Sequence, residues 1–83
     1  MEERLIYTVK EVAKILHSSP NYIYSLIENG YLPAIRLGSI KILKSTLEKF
    51  LQENEGNDLS DINNIKKISQ INNIKDFNIN EFN

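Results

Sequence analysis

Ser18, Ser19, Asn21, Tyr22, Tyr24 and Ser25 put six hydrogen-bonding side chains into eight consecutive residues, at the front of what reads as a short helix. Amides and hydroxyls of this kind recognise; without a base beside them they do not make or break bonds. An asparagine side chain matches the N6 and N7 edge of adenine, and serine and tyrosine hydroxyls reach phosphates or base edges. The chain shows no glycine-rich phosphate loop, metal-ligand spacing or nucleophile–base pair. Its one histidine, His17, has no evident partner, so catalysis is the weakest expectation. No cofactor is called for.

The elements that would position these residues are marked by local signals. Thr8 followed by Glu11 is a capping box, with Tyr7 and Val12 where a hydrophobic staple would close. Val9, Val12, Ala13 and Leu16 then recur at helical spacing, predicting a first helix over residues 9–16. Ser19 and Pro20 are the N-cap and first-turn residues of a second helix, which leaves only His17 and Ser18 for the turn. That helix ends at Asn29-Gly30. Two short helices joined so tightly form a helix-turn-helix unit. In the second helix Ile23, Leu26 and Ile27 define the inner face, while Asn21, Ser25 and Glu28 lie opposite, flanked by Tyr22 and Tyr24. The open amides of its first turn, with Ser18 and Ser19, offer an anion site.

Beyond the helix pair, AIRLGSIKIL has strand character on both sides of Gly38-Ser39, a pair suited to a two-residue type II′ turn. That register sets Leu37 against Ile40, Arg36 against Lys41 and Ile35 against Ile42. Arg36 and Lys41 would then share a face, and like charges directly opposite favour a polyanion lying against them. Ser45 with Glu48 reads as a second capping box, opening a third helix that buries Leu47, Phe50 and Leu51 and ends near Asn54. Residues 55–58 read as a linker. From Leu59 onward isoleucine, asparagine and lysine dominate, INNIK occurs twice, and apolar residues fall at every third position. A period of three drifts by about 60° per step around an α-helix, so no stable apolar face forms. Residues 55–83 are therefore expected to be a low-complexity tail, flexible or weakly helical.

Net charge is −1, which argues against a strongly basic nucleic-acid binder. Residues 1–54 nevertheless carry seven Lys or Arg against six Asp or Glu, and residues 55–83 three against five, so the excess of acid lies at the back. The absence of cysteine fits a reducing compartment. No apolar run approaches the roughly 20 residues of a membrane span, and the N-terminus lacks a leader pattern. These features predict a cytoplasmic protein without membrane contact.

Three stretches, YTVKEVAKIL, SSPNYIYSLIENGYLPAIRLG and STLEKFL, resemble the excisionase-type winged helix-turn-helix domains, relatives of the MerR DNA-binding domain. The resemblance covers about residues 6–52. It implies a mainly α fold with a small β-hairpin wing over residues 1–54, binding double-stranded DNA. By the same resemblance Pro20, Asn21, Tyr22, Tyr24 and Ser25 belong to the recognition helix, and Arg36, Lys41 and Lys44 to the wing. The pattern departs at His17, where glycine is common, at Pro20, where arginine is common, and at Ile40, where a basic residue is usual. Those departures imply modest affinity for one domain, offset by several copies on adjacent sites.

Two jobs remain open within that class: an excisionase or recombination directionality factor partnering an integrase, or a small transcriptional regulator. Either implies a bacterial, phage or mobile-element origin. The alternative class is a protein-interaction module, in which the tyrosines and the Ile-rich tail supply an apolar surface.

Overall fold

The computed structural model describes residues 4–70. The expected winged helix-turn-helix is present, with a strand before it and a ribbon after it. Strand β1 (Ile6–Thr8) leads into α1 (Val9–Ile15), then α2 (Pro20–Glu28), β2 (Ile35–Leu37), β3 (Ser39–Leu43) and α3 (Lys44–Glu53). A short β4 (Asn57–Asp58) and β5 (Lys66–Lys67) follow, with 3-10 turns at Ile62–Asn64 and Ile68–Gln70.

The Thr8–Glu11 capping box forms as the sequence predicts. The Glu11 amide donates to Thr8 Oγ1 at 3.1 Å, and the Thr8 amide donates to Glu11 Oε1 at 2.8 Å. Arg4 pairs with the same carboxylate. The Thr8 amide first and Arg4 second hold the Glu11 carboxyl below the usual carboxylate range.

Val9, Val12 and Ala13 of α1, Ile23 and Leu26 of α2, Leu32, Ile42 of β3, and Leu47 and Phe50 of α3 form one buried core. Tyr7, Leu16, Tyr22, Ile27 and Ile40 pack around it, joined from the ribbon by Leu59 and Ile62.

The sheet has order β1-β3-β2, all antiparallel. Its register differs from the sequence expectation by one residue: Leu37 pairs with Ser39, Arg36 with Ile40 and Ile35 with Lys41. The chain reverses about Gly38 alone, at φ 77°. A one-residue slip exchanges the faces of a strand. Arg36 therefore shares the inner face with Ile40, while Lys41 lies on the outer face with Ile35. On its other side β3 pairs with β1, which sets Tyr7 against Ile42 and gives Tyr7, Ile40 and Ile42 one inner face. With Ile40 and Ile42 turned inward by the central strand, Ile35, Leu37 and Leu43 are left exposed.

Helix α3 also departs from expectation at its start. β3 runs on to Leu43, the Lys44 amide donates to the Leu5 carbonyl at 2.8 Å, and no side chain caps the helix. Ser45 is thus inside the first turn, and Glu48 pairs with Lys44 at 3.5 Å instead of closing a box. Leu51, expected in the core, is exposed.

Within the expected linker and tail, residues 57–70 carry two short strands and two 3-10 turns. Leu59, Ile62, Ile65 and Ile68 are all half-buried, and β4 and β5 pair through Asn57 with Lys67 and Asp58 with Lys66. Of the four, only Ile62 and Ile68 lie in 3-10 turns, and Ile65 and β5 between them are extended, so the spacing of three follows no single helical repeat. The second INNIK lies outside the described residues.

Thr8→Ala is expected to lower the unfolding free energy by about 1 kcal/mol in urea denaturation, whereas Ser45→Ala, at a non-capping position, should change it by less than about 0.5 kcal/mol. Because the Glu11 pKa is lowered by folding, its contribution is present above the unfolded carboxylate range and is lost as pH falls through the folded value. Denaturation midpoints of Glu11→Gln should therefore fall less between pH 6 and pH 3 than those of the wild type.

Candidate nucleic-acid interface

The turn between α1 and α2 is closed by backbone bonds that leave little freedom. The His17 amide donates to the Lys14 carbonyl at 3.2 Å and the Ser18 amide to the Ala13 carbonyl at 2.7 Å. His17 stands at φ 54°, doing with a side chain what glycine does without strain. Ser19 Oγ then accepts from the Tyr22 amide at 3.2 Å, and Pro20 occupies the first turn. Ser19 is accordingly engaged in part by capping. The first turn of α2 itself carries no acidic residue.

The face that α2 turns outward is built around Asn21. Asn21 is exposed and its side-chain amide has no hydrogen-bond partner among the described residues; Ser25 Oγ donates to its backbone carbonyl at 3.1 Å. Ser18 and Pro20 are exposed beside it, Ser25 is half-buried, and Tyr24 is 44 % exposed. Tyr22 is different. Its ring packs against the core and its hydroxyl donates to the Leu59 carbonyl. Burial, and then the Asp58 charge, push its pKa above the ordinary tyrosine value. A side chain so engaged is positioned to brace the helix rather than to reach out from it.

The three wing residues do not form one basic face. Arg36 is exposed at the edge strand, facing Ile40. Lys41, on the other face, donates to Ser39 Oγ at 2.6 Å. Lys44 belongs to α3 and holds Glu48.

Two cations escaped the sequence reading. Lys10 and Lys14 line an open groove with Glu11, Ala13, Ser18 and Pro20, directly beside the start of α2. Their spacing of four on α1, on the face away from Val9, Val12 and Ala13, was the available signal. Glu11 shares the groove but is engaged by Thr8 and Arg4.

A family model described as a helix-turn-helix domain matches residues 6–55, from β1 to the end of α3. The chain belongs to this excisionase-type helix-turn-helix family. No curated protein and no solved structure gave a match. The family is one of DNA-binding domains, not of catalytic ones, and α1, the His17-Ser18 turn and α2 are the unit that names it. Among the described residues no group of side chains is arranged to hold a metal ion, and no helix is long and apolar enough to cross a membrane.

Removing one hydroxyl should separate bracing from exposed tyrosines. Tyr22→Phe, which leaves the Leu59 carbonyl unpaired, is expected to cost about 1 kcal/mol of stability, and Tyr24→Phe less than about 0.5 kcal/mol, both read by chemical denaturation.

Proposed function

We propose that the domain binds a specific double-stranded DNA sequence and acts without catalysis, as an excisionase or recombination directionality factor or as a small transcriptional regulator. The observation that carries the proposal is the Asn21 side chain, exposed and unengaged in the first turn of α2, where recognition helices meet base edges. In this proposal Asn21 reads adenine through its amide, with Tyr24 and Ser25 on either side of it. Ser18, Ser19 and the open amides behind Pro20 take a backbone phosphate, helped by Lys10 and Lys14. Arg36 and Lys41 meet the backbone from the two faces of the wing, and Lys44 stands behind them at the base of α3. Tyr22 acts through the position of α2. An integrase, or further copies on adjacent sites, would be the partners of a recombination role.

The alternative, a protein-interaction module, draws support from the outer sheet face, where Ile35, Leu37 and Leu43 are exposed together. Selection from a random duplex library, followed by titration of the winner and of a scrambled duplex at two salt concentrations, distinguishes the two. Enrichment of one short motif with a steep salt dependence is expected. Asn21→Ala should then weaken binding to the selected site by about 1 to 3 kcal/mol and relax its sequence preference. An equal loss on selected and scrambled DNA would falsify the role given to Asn21, and no enrichment from folded protein would favour the interaction module.

A further inference from the structure

The family match stops at residue 55, yet the chain continues along the recognition helix as the β4–β5 ribbon. We propose that this ribbon is a second DNA-binding element, in which the ammonium groups of Lys66 and Lys67 take phosphates of the strand bordering the groove that α2 enters. The proposal rests on the DNA-binding reading above.

Two tyrosine hydroxyls set the ribbon's place. Tyr22, in the first turn of α2, donates to the Leu59 carbonyl, and Tyr31, just beyond the last turn, donates to the Ile62 carbonyl at 3.2 Å. The segment between these anchors follows the flank of α2, with Leu59 and Ile62 packed against the core. Strand β4 leads directly into Leu59, so Asp58 and its cross-strand partner Lys66 come on the side of α2 from which the Tyr22 hydroxyl reaches out. The influence of the Asp58 charge on the Tyr22 hydroxyl agrees with that placement.

Dimensions then decide what the ribbon meets. A helix with its side chains is about 10 to 12 Å across, and the major groove is about 12 Å wide. An element packed on the flank of a helix in the groove has no room to enter with it. It lies over the groove's edge, where the phosphates are.

The ribbon's charges are arranged for such a position. Asp58 accepts from the Ser60 amide at 2.9 Å and from Ser60 Oγ at 2.6 Å, and Asp61 accepts from the Asn63 amide at 3.1 Å. Both carboxylates are thus occupied in local capping. Lys66 and Lys67 are exposed and neither comes within 4 Å of a carboxylate among the described residues, although the Lys66 charge acts on its cross-strand partner Asp58. Neighbouring residues of a strand project to opposite faces, so the two stems diverge and span a length of backbone. A flexible stem ending in a point charge suits a phosphate and reads no sequence.

The experiment titrates the full chain and the double variant Lys66→Gln/Lys67→Gln against the selected duplex and a scrambled one over a series of salt concentrations. The expected result is a salt slope, log K against log salt, shallower by about 0.9 for each phosphate no longer neutralised, with affinity reduced by the same factor on both duplexes. Lys66→Arg/Lys67→Arg, which keeps both charges, should retain the wild-type slope. If the glutamine pair lowers the Tm, Lys67→Gln alone, opposite the neutral Asn57, should still flatten the slope by about 0.9. A wild-type slope in the glutamine variants overturns the ribbon's role and leaves the DNA-binding reading intact. Failure of the wild-type chain to bind the selected duplex overturns both.

Discussion

Everything in the domain leans on one shared core in which no element is self-sufficient. Val12, Ile23, Leu26, Leu32 and Ile42 are fully buried, and they come from α1, α2, the loop after α2 and β3, with at most two from any element. A chain this small buries too little surface for any part to stand alone. Burial of Ile23 and Leu26 fixes the rotation of α2 about its axis, and with it the direction of Asn21. Burial of Ile42 fixes the pleat of β3, and with it the faces on which Arg36 and Lys41 lie. The polar surface is thus oriented by side chains that never meet solvent.

A net charge of −1 is compatible with binding a polyanion because the charges are not equivalent in position. Glu11 is engaged by the Thr8 amide and Arg4, Asp58 by Ser60, and Asp61 by Asn63. The first turn of α2 carries no acid, and Lys10 and Lys14 stand beside it. At a range comparable to the Debye length, local arrangement outweighs the total. The tyrosines divide labour in the same way: those at 22 and 31 tie the ribbon to the helix, whereas Tyr24 is left exposed.

Sequence alone determined the features whose partners lie within one helical turn. Thr8 and Glu11 are three residues apart, Ser19 caps its own helix, and Gly30 ends it at φ 81°. Such signals depend on neighbours along the chain, so the two helices and their turn were legible, together with the face that holds Asn21. The tertiary structure decided what depends on distant partners. The hairpin sits in a sheet whose third strand, β1, joins β3 from more than 30 residues away, and its register differs by one residue from the local reading, which separates Arg36 from Lys41. The Ser45 box yielded to a bond between the Lys44 amide and Leu5, and Tyr22 was drawn to a carbonyl 37 residues away. Pairing across the fold is chosen by which surfaces remain after the core has filled, a competition among all the elements at once that no local pattern records.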